Sequence, residues 1–243
     1  MLCGGLFFGV HNDITGFQNR MGVFMFIFCI FGFGSLSSLE IFAQERTLFM
    51  RERANGYYGV GVYYLTKILF DMIPLRVIPP ILLGCICYFM IGLVPSAENF
   101  LKFLLVLTLF NMTTASLCFA IAAACGHHMA IANLVGVMAM LFSMLFSGFL
   151  LSKKDMPIYV SWMTNLSSFN YAFEALLGNE LLDLTLKDGR FGKELIVPGT
   201  FVLDVFGLNP YAYWSDVLGL FWMLVTLLAT GFFILQFFVK EKR

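Results

Sequence analysis

Met21-Gly-Val-Phe-Met-Phe-Ile-Phe-Cys-Ile30-Phe-Gly-Phe-Gly-Ser-Leu-Ser-Ser-Leu-Glu40-Ile-Phe42 is an almost unbroken apolar run whose one charged residue, Glu40, stands near its far end. A helix of roughly 20 such residues crosses about 30 Å of hydrocarbon at about 1.5 Å per residue, so the run reads as a membrane span. The rest of the chain agrees. Of its 243 residues 60% are hydrophobic and 12% charged, and the mean hydropathy is +0.85. That leaves too little polar surface to coat a water-soluble globule, which excludes a soluble enzyme. The predicted fold class is all-α. It is a polytopic transmembrane helical bundle of about five complete spans plus the remnant of a first, with a cytoplasmic amphipathic connecting helix and a folded external loop before the last span.

Working outward from Met21, the polar His11-Asn12-Asp13 and Asn19-Arg20 lead into the span. Leu2 to Val10 shows no signal-peptide pattern and reads as the tail of an earlier helix. Beyond Phe42, a charged stretch with Glu45, Arg46, Arg51, Glu52 and Arg53 passes through Gly56 into an amphipathic segment, Tyr57 to Asp71, expected at the interface. Asp71 to Leu93 follows, with Pro74, Pro79 and Pro80 inside it; a kink is expected, because proline removes a main-chain donor. Leu101 to Ala124 and Met129 to Leu151 form a helical hairpin across Cys125-Gly126-His127-His128. From Ser152 to about Trp214 the chain turns polar and reads as a folded external loop. The last span, Trp214 to Val239, stops at Lys240-Glu241-Lys242-Arg243. Residues 1–243 read as one membrane domain.

Charge placement sets orientation. Arg46, Arg51, Arg53 and Lys67 mark one side and Lys240, Lys242 and Arg243 the same side, predicted cytoplasmic by the lysine and arginine bias. Trp162, Tyr211, Tyr213 and Trp214 suit an interfacial belt on the other. The net charge is zero and the pI about 6.8, so nothing advertises nucleic acid. Cys3, Cys29, Cys85, Cys87, Cys118 and Cys125 lie in or beside apolar runs without zinc-type spacing and read as packing residues. His127 and His128 read as solvated turn residues with no third metal ligand. Of two glycosylation sequons, the one at Asn165 is placed outside near the bilayer and the one at Asn111 inside it. No paired nucleophile and base or metal cluster is legible at membrane depth, so an intramembrane enzyme is not predicted, and no catalytic or metal residue is assigned.

Several strings add a resemblance. They are Asn12-Asp13-x-Thr15-Gly16-x-Gln18-Asn19-Arg20-x-Gly22-Val23, Glu45 to Phe49 leading into Gly56-Tyr57-Tyr58, and Lys67-x3-Asp71-x2-Pro74-x-Arg76-x2-Pro79. Cys85-x2-Tyr88-Phe89-Met90-x-Gly92-Leu93, Ala120-Ile121-Ala122-Ala123 and Phe146-Ser147-Gly148 follow in order. Together they resemble the transmembrane domain of G-subfamily ABC transporters, the White and breast-cancer-resistance-protein type of half-transporter, over nearly the whole chain. The resemblance implies a dimer, a nucleotide-binding domain ahead of the spans, and ATP with magnesium on that domain. The chain departs from this pattern: it holds no G-x-x-x-x-G-K-[Ser/Thr] phosphate loop, and its first span is reduced to the Leu2 to Val10 remnant. It reads as a fragment or a short product, with no cofactor of its own.

The resemblance also implies site residues. Phe33 matches the aromatic position that clamps flat hydrophobic substrates between protomers, with Ile30 where close relatives carry asparagine; aromatic faces supply large contact area. Val137, Leu141 and Met144 become candidate cavity walls, and Phe149-Leu150 takes the place of a leucine pair that closes the exit. Arg76 corresponds to a position that influences which substrates are handled; its alternative reading is a cation snorkelling to the interface. Asp71 and Arg76 flank Pro74, outside the i,i+4 rule of an unbroken helix and open to a link across the kink. Glu40, Glu45, Arg46, Glu52 and Arg53 fall in the connection that docks on the nucleotide-binding domain. The function expected is the transmembrane subunit of an ATP-driven exporter of hydrophobic or amphipathic small molecules, such as lipids, sterols and xenobiotics, working by alternating access in the plasma membrane. The alternative is a truncated, non-transporting subunit that assembles with or regulates a full half-transporter. Either way its partners are membrane lipid, a second half-transporter, a nucleotide-binding domain and, for the exporter, a hydrophobic substrate.

Overall fold

The structure is a computed structural model and describes residues 14–126, 128–182, 184–188 and 195–237. The expectations for Leu2 to Val10, His11-Asn12-Asp13, Cys3, His127 and the Lys240 to Arg243 tail lie outside the described residues.

The stretch that opened the reading becomes two helices, α1 (Ile14–Gly34) and α2 (Ser37–Ala54). Ser35 makes the break: its hydroxyl donates to the Gly32 carbonyl at 2.6 Å, a local bond that competes with the helical ladder. α1 starts ahead of the expected Met21, so Arg20 lies inside the helix and is buried. α2 runs on through the charged stretch to Ala54 as one helix.

α3 (Val60–Thr66), a π-helical turn at Lys67–Met72 and α4 (Ile73–Ile91) make one continuous rod, long and apolar enough to span as Val60–Ile91. The amphipathic segment and the proline-containing segment are therefore two ends of the same continuous helical rod. The π turn sits directly ahead of Pro74, where the missing N–H already breaks the regular ladder.

α5 (Ala97–Cys125) is the central helix, with Phe103, Val106, Leu107 and Phe110 buried on it. Its middle carries Thr113, Thr114, Ala115 and Ser116, all buried. Small residues let neighbouring backbones approach, and the hydroxyls bond back to carbonyls one turn earlier, Thr113 to Leu109 at 2.7 Å and Ser116 to Met112 at 2.8 Å. α6 (Met129–Leu145) returns antiparallel to α5 but ends before the expected Leu151. Among the described residues, four helices, Gly16–Phe42 (through the Ser35 turn), Val60–Ile91, Ala97–Cys125 and Tyr213–Phe237, are long and apolar enough to cross a membrane, and Met129–Leu145 is a shorter apolar helix beside them.

The expected folded loop is folded. Among its described residues it contains short turns at Lys153–Asp155 and Trp162–Leu166, α7 (Ile158–Ser161), α8 (Ser168–Leu181), an antiparallel pair β1 (Thr185–Asp188) and β2 (Leu195–Pro198), and α9 (Gly199–Val205). α8 is buried almost along its length and ties the loop into the bundle. Phe28 of α1, Phe110 of α5 and Phe169 of α8 meet at 4.7 and 4.9 Å between ring centroids. Gly32 makes room for them, since a Cβ there would stand 2.7 Å from Phe169 Cζ. α10 (Tyr213–Phe237) is the last span, packed on α5 and α8.

Candidate functional site

α1 and α6 lie side by side, joined by Cys29 and Met144, whose sulfurs are 3.9 Å apart. Helical spacing puts Phe26 and Ile30 on one exposed stripe of α1, with Phe33 half-buried one turn on. On α6, Leu134, Met138 and Leu141 form a matching exposed stripe, and Val137 and Met144 are partly covered. The proposed substrate residues Phe33, Ile30, Val137, Leu141 and Met144 thus belong to two neighbouring helices.

Arg76 stands apart from that stripe. Its guanidinium donates to the hydroxyls of Ser37, at 3.1 Å, and Ser38. With Lys67, Asp71, Ser38 and Phe119 it lines a cavity of ≈ 30 Å³, large enough for water among polar partners. Asp71 and Arg76 line one cavity and sense each other's charge, but the close ion pair is made elsewhere. Asp71 instead pairs with Lys67 four residues earlier, within the π turn, where the shorter span favours the lysine. Asn111, in the apolar middle of α5, donates to the Arg76 carbonyl at 2.8 Å. That carbonyl would have bonded the N–H of residue 80, which proline lacks.

The charged end of α2 is organised around the same lysine. Glu45 accepts from Lys67 Nζ at 2.8 and 2.7 Å and from the Tyr63 hydroxyl at 3.2 Å. Tyr58 donates to Glu52 at 2.5 Å; burial, reinforced by that bond, pushes its phenol up to about 12. Arg53 donates to the carbonyls of Leu235 and Gln236 at 3.0 and 3.2 Å. The guanidinium thus ties α2 to main-chain acceptors in the last described turn of α10. Arg46 is buried against the end of α5, where a Cβ on Gly126 would meet its Nη1 at 3.2 Å. Desolvation holds its pKa below the usual arginine range. Glu40 is exposed and joins none of these contacts.

At the opposite end, Phe149 packs edge-to-face on Phe173 of α8 at 5.8 Å, while Leu150 is exposed. Both follow the end of α6 and sit in a turn around Gly148. Nearby, Arg20 of α1 pairs with Glu180 of α8 at 3.3 Å, both 2% exposed at the side chain. Glu180 also accepts the Val94 N–H at 3.2 Å. Its carboxyl is pushed up to about 7 by burial, opposed by the Arg20 charge and the Val94 bond.

Sequence reading missed Asn111, Ser38 and the Arg20–Glu180 pair as structural partners, and took Lys67 only as a marker of orientation. A polar residue inside an apolar run, such as Asn111, was the available signal. Ser38 and Glu180 had none, because their partners come from distant segments. Asn165 is exposed and Asn111 is buried. The five described cysteines form no disulfide among the described residues; Cys87 and Cys118 are buried and the others partly so.

The described residues thus form a bundle of apolar helices long enough to span a membrane, with the buried α8 tied into it. The family model for the ABC-2 type transporter matches residues 1–181. The chain belongs to this family. Within it the chain is a G-subfamily ABC transmembrane domain, as its relatives indicate. It is 38% identical over 244 residues to a probable ATP-dependent permease of Saccharomyces cerevisiae, covering 100% of this chain and 23% of that protein. It is 37% identical over 233 residues to ABC transporter G family member 24 of Dictyostelium discoideum, covering 96% and 20%. It is 33% identical over 250 residues to the broad substrate specificity ATP-binding cassette transporter ABCG2 of Rattus norvegicus, covering 99% and 38%. The chain therefore spans well under half the length of these relatives. This ABC-2 type domain is an integral, multi-pass membrane subunit of an ABC transporter.

Proposed function

We propose that this ABC-2 type domain moves hydrophobic or amphipathic small molecules, of the lipid, sterol and xenobiotic class, out across the plasma membrane. Two copies, or this chain and a second half-transporter, face each other across the α1 and α6 stripes and alternate access to the apolar space between them. Energy comes from ATP and magnesium on nucleotide-binding domains, which dock on the charged end of α2. The observation that supports this reading best is the pair of adjacent exposed stripes, Phe26 and Ile30 on α1 with Leu134, Met138 and Leu141 on α6. Their match in two neighbouring helices suits a shared, greasy and adaptable wall. Phe33 and Ile30 hold the substrate, Val137, Leu141 and Met144 complete the wall, and Phe149 with Leu150 closes the exit. Arg76 acts on selection from its cavity behind the wall.

The test is ATP-dependent uptake of a panel of amphipathic dyes into inside-out vesicles carrying the complete transporter. Phe33→Ala should abolish substrate-stimulated turnover while folding and basal ATPase persist. Unchanged transport across the panel would sink this assignment. A complete transporter that assembles yet moves no dye would favour a regulatory subunit.

A further inference from the structure

The exit turn is tied to α8 by a contact that the family resemblance does not account for. Between the end of α6 and the Lys153–Asp155 turn, Ser147 accepts the Phe149 N–H at 3.2 Å and Gly148 adopts φ +84°. Lys153 then closes the loop from several sides. Its main-chain N–H donates to the Phe206 carbonyl at 3.3 Å, which also accepts the Ser152 hydroxyl at 3.3 Å. Its side chain lies over two glycines: a Cβ on Gly148 would meet Lys153 Cε at 3.4 Å, and a Cβ on Gly207 would meet Lys153 Cβ at 3.1 Å. At its tip, Nζ pairs with Glu174 of α8. The second oxygen of that carboxylate accepts the Asn209 N–H at 2.7 Å.

Glu174 directly follows Phe173, the ring on which Phe149 packs. One turn of α8 therefore grips the exit loop twice, by an aromatic contact at Phe149 and by a charge at Lys153. The Lys153 and Glu174 side chains are only 19% and 9% exposed, so little water screens the pair, and a charge-assisted bond in that setting is among the stronger tethers available. Outside it, Lys153 and Asn209 border an open depression of ≈ 490 Å³ with Lys154, Asp204, Gly207 and Leu208. The loop therefore has space to lift into once the tether breaks.

We propose that Lys153 is a positioning residue for the exit: its ion pair with Glu174 holds the 146–152 loop on α8 and so sets where Phe149 and Leu150 stand. The proposal rests on the exit-closing role given above to those two residues. Removing one partner of a buried pair strands the other charge. The two breaks differ: a glutamine at 174 still offers its amide oxygen to the Asn209 N–H, whereas loss of Lys153 leaves the Glu174 carboxylate without its cation. The glutamine variant is the gentler break.

The experiment uses the complete transporter in membranes with Phe149→Cys as reporter, which removes the aromatic grip and leaves the ion pair as the tether under test. Labelling by a membrane-impermeant maleimide is timed against the same protein without the reporter. Glu174→Gln and Lys153→Met should each speed labelling by about fivefold or more, as local opening becomes easier. Lys153→Arg should return it to near the parent rate, and the exchanged pair Lys153→Glu with Glu174→Lys should label more slowly than Lys153→Glu alone, although it leaves the Asn209 N–H without its acceptor. A merely structural lysine would not be rescued by exchange. Parent-like labelling in both Glu174→Gln and Lys153→Met overturns the anchor. The exit role is read separately, from dye export with Phe149→Ala in the presence of the intact pair. Faster labelling with unaltered export there keeps the tether and removes the exit reading on which its purpose rests.

Discussion

The side-chain amide of Asn111 donates to the main-chain carbonyl of Arg76 at 2.8 Å, taking the place of the N–H that Pro80 does not have. One polar residue at membrane depth thus answers one backbone defect on the neighbouring helix, and it does so directly beneath the guanidinium that lines the inner cavity. In hydrocarbon an unmet carbonyl has no water to turn to.

Asn111→Leu should therefore destabilise the detergent-purified protein by about 1–3 kcal/mol, the cost of a stranded buried acceptor. Pro80→Ala restores a donor to the same carbonyl. The double variant should recover much of the loss, and a thermal-unfolding cycle of the four proteins reads the coupling. Strictly additive losses would show that the bond carries no weight.

Gly199 opens α9 against the end of α8. A Cβ there would press on two main-chain carbonyls, those of Leu181 and Leu184, the latter at 2.9 Å. Backbone atoms cannot swing aside as a flexible side chain can. Gly199→Ala should lower stability well beyond the ~1 kcal/mol of an ordinary substitution, while Gly22→Ala, with nothing within 4 Å of its Cβ, should change little. Thermal melts of both decide the matter.

Glu180 should leave a pH signature. Its folded-state pKa is raised from 4.5 to about 7, by burial first, against the opposing pull of Arg20 and the Val94 N–H. The folded protein thus holds a proton that the unfolded chain releases between those values. The contribution of Glu180 is fully present below pH 4.5 and is lost as pH rises through about 7, by up to ~3 kcal/mol. Glu180→Gln should flatten stability against pH across that window. A slope identical to the parent would contradict the assignment.

Arg53 joins α2 to the last span through the Leu235 and Gln236 carbonyls. If α2 receives the nucleotide-binding domain, Arg53→Ala should cut dye export several-fold while basal ATP hydrolysis holds. Equal losses of both activities, or of neither, would argue against a coupling role. Lys67→Ala should act in the same direction, since it frees Glu45 and Asp71 together.

Much of the site was half-legible. Phe33, Ile30 and Leu141 were named by matching strings, because each stands a fixed distance from a motif on its own helix, and the structure puts those helices side by side. The ion-pair choices could not. Asp71 had two cations within reach along the chain, and the π turn, a consequence of Pro74 in its packed setting, brings it to Lys67 and leaves Arg76 to Ser37 and Ser38. Glu40 entered the coupling group through the resemblance, with Glu45, Arg46, Glu52 and Arg53, and it is exposed where Glu45 and Arg53 meet partners from other helices.

Hydrophobic run length and charge placement alone determined that this is a helical membrane protein, because spanning hydrocarbon needs long apolar helices whatever their neighbours do. The family followed from ordered local strings. What only the tertiary structure decided was which polar groups meet inside the bundle: Asn111 with Arg76, Arg20 with Glu180, Lys153 with Glu174. Each pair joins segments far apart in sequence, and in a low-dielectric interior a buried polar group is tolerated only beside a partner that packing, not sequence spacing, delivers.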